Sequence, residues 1–361
     1  MQKEKVTLEE ILNGIKPVDQ QWIEKARERT AQLVMPTRAL GRLHEISERL
    51  CGIQQTLKPS IGRKAVLVMA GDHGIVDEGV SAYPQEVTGA MVQTFLVGGA
   101  GINAISRHVD ADVWVVDMGI IPELNTTNMK GGERLLINKI GHGTANFARG
   151  PAMSREMAEK AILTGFQHAA NLFQKDIEIL GTGDMGIGNT TPSAAIGAVI
   201  TGADLEAMVG PGTGVDDDGL ERKRQAIRRG IELNQPKRSD GLDVLSKVGG
   251  FEIGAICGCI LAGAFHGCAV VIDGFISTAG ALIAYTLCPT VVEYMFSGHC
   301  SEEPGHRAML NYLNLEPILD LGMRLGEGTG GTLAMSIMEG AVKVFKEVLT
   351  FAEAGVADKE G

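Results

Sequence analysis

Apolar and polar positions change their rhythm twice along this chain. Over residues 1–60 the apolar residues recur at three- and four-residue intervals, the period of helices with one buried face. Thr7-Leu-Glu-Glu10 has the form of a capping box that starts the first helix. Helical spacing returns over Glu24–Val34 and Leu40–Leu50, with a Pro-Thr-Arg loop at 36–38 between them. From about residue 61 the pattern changes to short, continuously apolar runs. Four of these run into an aspartate, beside glycine or in a glycine-rich turn in most cases: Ala65–Asp72, Asp112–Asp117, Ile177–Asp184 and Cys268–Asp273. Helical patterns such as Ser154–Phe173 and Pro192–Thr201 lie between the runs. The C-terminal part returns to helix, with Leu333, Ile337, Val344 and Val348 at helical spacing over 332–352.

Uniformly apolar strands alternating with helices predict a parallel sheet covered on both faces. The expected fold is α/β, a parallel Rossmann-like sheet with helices on both faces. Residues 61–304 would form this large domain. Residues 1–60 and 305–361 would pack together as a small helical domain. Polar residues directly after the strands would then gather along the C-terminal sheet edge, where open α/β sheets bind ligands.

Composition narrows the function. Of 361 residues, 48 are Gly, 44% are hydrophobic and 21% charged, which excludes a disordered chain. Aromatics are 4% and the formal net charge is -11. Neither suits a nucleic-acid partner, which needs stacking platforms and clustered cations. The main basic run, Glu221–Arg229, is short and could serve a local phosphate pocket. The charged start of the chain lacks the apolar core of a signal peptide. The apolar stretch Ile253–Ile272 is rich in Gly and Cys and is not flanked by Lys or Arg. It reads as a packed helix followed by a buried strand, not as a membrane span. Six cysteines without a framework spacing point to a reducing cytoplasm. Cys257-Gly-Cys259 could be half a metal site, but no matching pair follows, and buried thiols are the simpler reading.

Four segments could carry chemistry. Gly181–Ala195 contains Met185-Gly-Ile-Gly-Asn-Thr-Thr191 between a strand and a helix. Its glycines let backbone approach a ligand, and a helix N-terminus favours an anion. Phosphate binding and an ordinary capped turn both fit. The segment is neither a Walker A loop nor a dinucleotide fingerprint. Gly210–Gly219 is a second glycine-rich loop, followed by Lys223. Its aspartates, 216–218, suit helix capping better than Mg²⁺. A third segment joins Asp72-His73 to Tyr83-Pro84. The first pair could be metal ligands, an acid–base pair or structural, and Tyr83 could wall an aromatic pocket. In the fourth, Met323-Arg-Leu-Gly-Glu-Gly-Thr-Gly-Gly331, Glu327 stands between glycines. In an apolar pocket its pKa would rise, as a general base needs; a solvent-facing helix start fits the sequence equally well.

These segments, in this order, together with Asn234-Gln-Pro236, Asp240–Phe251 and Asp273-Gly-Phe275, resemble the nicotinate-nucleotide:dimethylbenzimidazole phosphoribosyltransferases. The similarity runs from Leu40 to Thr329. The resemblance implies a homodimer that moves the phosphoribosyl group of nicotinate mononucleotide to a benzimidazole-type base, without cofactor or metal. Glu327 falls on the family's catalytic glutamate, and Asp184 would be a second carboxylate. Gly186, Ile187, Gly188, Asn189, Thr190 and Thr191, with Gly212 and Lys223, would hold phosphate and ribose. Tyr83, Pro84, Met91 and Leu325 would hold the base. Two departures stand out. Asp184 occupies a place where family members commonly carry Glu. Tyr83 and Met91 replace the Ser and Gln of some members, which makes the base pocket more aromatic and less polar. Acceptors from benzimidazoles to adenine or phenols therefore stay open. Competing expectations are a nucleoside phosphorylase using free phosphate, a non-catalytic nucleotide-binding regulator, and a metal-dependent hydrolase built on Asp72 and His73.

Overall fold

The computed structural model describes residues 6–124, 131–212 and 214–357. The first five residues of the charged N-terminal segment, and Thr213 of the second glycine loop, lie outside that set. Among the described residues, six parallel strands form one sheet in the order β3-β2-β1-β4-β5-β6. They are β1 (Lys64–Gly71), β2 (Ala111–Gly119), β3 (Leu135–Ile137), β4 (Ile179–Met185), β5 (Ala269–Ile272) and β6 (Met295–Ser297). Four are the expected Asp-terminated runs. The sequence pattern does not reveal β3 and β6; at three residues each they are too short to carry a readable period.

Both faces of the sheet are covered, which is why β1 is buried along its whole length. Val66, Val68 and Ala70 join one apolar cluster with Val92, Phe95 and Ile102. The alternate residues Ala65, Leu67 and Met69 join the main core on the other side. There the Phe251–His266 helix packs against Arg155–Phe173 at backbone distance. A Cβ at Gly165 would overlap the Ala255 carbonyl, and one at Gly258 the Ile162 carbonyl. The apolar stretch read as helix then strand has that form, and among the described residues no helix is long and apolar enough to cross a membrane.

The N-terminal and C-terminal helical segments meet. Val34 N–H donates to the Leu349 carbonyl at 2.9 Å, and Phe351 N–H to the Gln32 carbonyl at 2.9 Å. Ala26, Cys51 and Phe345 form a small apolar cluster between them. The capping box at Thr7 is present, with Glu10 answering it. The Thr329–Glu347 helix does more than join the ends, because it also packs on β4 and β5. Met335 meets the place where Gly181 lacks a side chain. That packing ties the C-terminal segment to the sheet.

Candidate active site

The strand order reverses between β1 and β4, so a crevice opens beyond their C-terminal ends. A cleft of about 460 Å³ occupies this edge. Its floor comes from Asp184 and the following loop to Thr190, and its far wall from residues after β5 and β6. Tyr83, Val87 and Met91 line one side, and Arg324–Glu327 another. Tyr83 and Leu325 are 54% and 61% exposed, an unusual state for large apolar groups facing a concave site.

Glu327 is held by backbone that few residues adopt. Its φ is +63°, between Gly326 at +84° and Gly328 at +92°. The flanking glycines are required, since a Cβ at Gly328 would meet Val66 at 2.9 Å. The turn presses onto β4, where a Cβ on Gly183 would come within 2.5 Å of the Glu327 carbonyl oxygen. Asp273, just after β5, accepts hydrogen bonds from Gly328 N–H at 3.1 Å and Gly331 N–H at 2.8 Å. It thereby anchors the start of the Thr329–Glu347 helix. The Glu327 side chain is only 5% exposed, so the solvent-facing alternative is excluded. Its Oε2 accepts from the Ile102 N–H at 3.0 Å, at the start of the Gly101–Val109 helix. Burial raises its pKa above the usual range; the Ile102 bond opposes that, and the Asp273 charge adds to it.

Asp184 lies beside this turn, with the Gly326 Cα face against its carboxylate. Its Oδ2 accepts from Asn189 Nδ2 at 2.9 Å, and Oδ1 has no partner among the described residues. Burial pushes its pKa well up, reinforced by the charges of Asp273, Glu252 and Glu327. Two carboxyl groups with raised pKa thus share one cleft, a feature that marks functional sites.

Lys223 is the buried cation of the site, at 0% exposure. Its ammonium donates to Thr190 Oγ1 at 2.7 Å and to the Gly210 carbonyl at 3.0 Å. Gly212 lies directly over it, because a Cβ there would be 3.1 Å from Nζ. Burial lowers the pKa of Lys223 to about 8. The two glycine-rich loops therefore converge on one lysine. The arginines of the basic run do not follow it. Arg224 and Arg228 pair with Glu206, and Arg229 with Glu78. Asp216 caps the helix by accepting from Gly219 N–H at 2.8 Å, as its capping reading requires.

The structure gathers Tyr83, Met91, Asp184, Gly186, Ile187, Asn189, Thr190, Gly212, Leu325 and Glu327 around the cleft. Lys223 stands behind Thr190. Pro84, Gly188 and Thr191 do not line it. Pro84 is exposed beside it, Gly188 faces Val76, and Thr191 is buried, its hydroxyl without a partner among the described residues. Sequence reasoning missed Phe275, His299, Ser301, Glu303 and Arg324, which complete the walls. Three of these follow β6, the strand too short to be predicted. The polar cluster after Met295-Phe-Ser297 was the available signal. Asp72 and His73 are fully buried and lie outside the cleft lining. Cys257 and Cys259 are buried free thiols, and burial raises the pKa of both.

A parallel sheet of this order, with carboxylates and a buried lysine at its switch point, has the layout of an α/β enzyme. The family model described as Phosphoribosyltransferase matches residues 15–356. Nicotinate-nucleotide–dimethylbenzimidazole phosphoribosyltransferases from Chloroflexus aggregans and Geotalea uraniireducens are 49% and 50% identical to the chain. Each alignment covers 98% of this chain and 99% of the relative. The crystal structure of the Thermus thermophilus enzyme of that name superposes with a TM-score of 0.88 at 46% identity, covering 94% of this chain and 100% of that one. The chain belongs to the nicotinate-nucleotide–dimethylbenzimidazole phosphoribosyltransferase family.

Proposed function

We propose that the protein transfers the phosphoribosyl group of nicotinate mononucleotide to 5,6-dimethylbenzimidazole or a related base. The products are nicotinate and α-ribazole 5′-phosphate, so the step belongs to cobamide biosynthesis. The observation that carries this reading is the placement of Glu327. A buried carboxylate with raised pKa lines one cleft together with Tyr83, Met91, Leu325 and the 185–190 loop.

The donor phosphate lies over Lys223, Thr190 and Gly212, and the ribose over the Gly186–Asn189 backbone. The acceptor lies flat among Tyr83, Met91 and Leu325, with its N–H toward Glu327. One ring nitrogen attacks C1′ with its lone pair while Glu327 takes the proton from the other. The C1′–nitrogen bond to nicotinate breaks, and its electron pair neutralises the departing pyridinium. Attack on the face opposite the leaving group turns the β-linkage into an α-linkage. Asp184 stabilises the positive charge that develops on the ribose ring. The phosphate is a handle and takes no part in bond making. The shorter Asp184, in the place of the family's usual Glu, is kept in reach by its contact with Gly326.

The chain's helical ends, 1–60 and 305–361, act in this reading as a small domain that carries Glu327 to the sheet edge. The protein works as a homodimer in the cytoplasm, where its six cysteines stay reduced.

The test is nicotinate release from nicotinate mononucleotide by purified protein in EDTA, with and without dimethylbenzimidazole. Release that requires the base, with α-ribazole 5′-phosphate appearing, is expected. Equal release without base, or nucleotide binding with no turnover for any benzimidazole, adenine or phenol, would overturn the reading. Light scattering of the same sample should give twice the chain mass.

A further inference from the structure

Directly behind the 185–190 loop lies a buried His–Glu pair that the transfer chemistry does not use. His73 follows β1, and Glu252 lies in the first turn of the Phe251–His266 helix. Both are fully buried, with His73 Nε2 2.9 Å from Glu252 Oε1. The surrounding backbone is shaped to the pair. A Cβ at Gly250 would meet Glu252 Oε2 and His73 Cε1 at 2.6 Å each, and one at Gly71 would lie 3.1 Å from Glu252 Oε2. Neither side chain has another hydrogen-bond partner among the described residues, and a buried polar group without one is costly, so each member needs the other.

The pair touches the loop. A Cβ at Gly186 would meet His73 Nε2 at 3.1 Å. The next residue is tied to the neighbouring carboxylate: Ile187 N–H donates to Thr88 Oγ1 at 3.1 Å, and the Thr88 hydroxyl bonds to Asp72. Asp72 is itself pinned by the Ile121 N–H at 2.7 Å. Two consecutive loop residues are therefore seated on two consecutive residues at the end of β1.

We propose that His73 and Glu252 are positioning residues for the donor: the buried pair fixes the seat of Gly186 and Ile187, so the loop is in place before the ribose phosphate arrives. The proposal rests on reading 185–190 as the donor loop. A preset loop binds ground and transition states alike, so its loss shows in the donor KM and not in kcat.

The test measures steady-state kinetics and melting temperature for H73Q, E252Q and the double variant. Each single change should raise the donor KM at least about tenfold, with kcat and the acceptor KM within about threefold. The double variant should be no worse than the worse single one, because one pair is lost once. A lowered melting temperature with an unchanged donor KM would mean a merely structural pair and overturn the proposal. So would a fall in kcat alone. Should the pair variants fail to fold, T88V cuts the second tie with an isosteric side chain. A donor KM raised roughly threefold or more then supports the seat, and an unchanged KM overturns it. If the wild-type protein shows no transfer, the donor-loop reading of the reaction falls on its own. The seat is then judged by calorimetric binding of ribose 5-phosphate to the same variants: weaker binding supports it, and equal binding overturns it.

Discussion

Replacing Glu327 by Gln is the sharpest test of the chemistry. Gln keeps the length and volume, so the Ile102 N–H still finds an acceptor at the place now 3.0 Å away. It tolerates the left-handed backbone about as well as Glu does. What is lost is the ability to take a proton. General-base catalysis contributes roughly 10²–10⁴-fold, which is about 3–5.5 kcal/mol of activation free energy. The expected result is therefore a kcat lower by about two to four orders of magnitude, with the donor KM within about threefold. The folded state should not suffer. Glu327 has its pKa raised by burial, so the native state holds this proton more tightly than the unfolded state does. The associated stability is present at acid pH and lost as pH rises through the folded-state pKa. Gln removes that loss, so the variant should melt no lower than wild type at pH 8. Single-turnover nicotinate release, by quench and chromatography, reads the chemical step without product release. A rate within about threefold of wild type would refute the base role, since a proton acceptor worth so little is no base catalyst.

Three further outcomes follow from the same geometry. In D184N, Asn can still accept from Asn189 while the buried charge is gone. Folded Asp184 has a raised pKa, so its stabilising contribution fades as pH rises. The variant should melt a few degrees above wild type at pH 8 and equal it near pH 3, with kcat reduced; a lower melting temperature at pH 8 would contradict this. Burial brings the Lys223 pKa down to about 8, so wild-type kcat/KM for the donor should fall as pH passes that value. K223M should remove this limb and raise the donor KM at least about tenfold, whereas a pure kcat loss would place the lysine elsewhere. G258A forces a methyl into the Ile162 carbonyl and should cost about 3 kcal/mol or more, read as the urea midpoint.

Much of the fold was legible because its physical causes are local. β1 is buried on both faces, so its sequence is apolar without alternation, and the Asp at its end marks the sheet edge. Ser154 and Thr7 announce their helices by side-chain bonds that depend only on nearby residues. The candidate site was legible where one segment contains its own geometry, as in the Gly-Glu-Gly turn. It was illegible where partners come from afar. Nothing local tells that Glu327 meets Ile102, 225 positions away, or that Lys223 passes behind Thr190 while its neighbouring arginines turn to Glu206 and Glu78. His299, Ser301 and Glu303 were missed for a related reason. Their strand is three residues long and holds its place by pairing with β5, not by any pattern of its own.

The turn at Glu327 shows why those distant partners matter. A non-glycine residue in the left-handed region costs roughly 1–2 kcal/mol, and a buried carboxyl costs more. Neither expense makes sense for stability alone, since a serviceable helix start needs only a capping side chain. The surrounding structure enforces both. Asp273 holds the turn from below through two N–H groups, and Gly183 lets its carbonyl lie on β4. The result is a carboxylate fixed at the switch point, with its pKa raised and its rotation limited by one backbone bond. Strain of this kind persists when the neighbours over-determine it, and it concentrates where a reactive group must be aimed. Glu327 shares its cleft with the side chains of Tyr83 and Met91 and with the 185–190 loop, where the proposed transfer needs a fixed carboxylate.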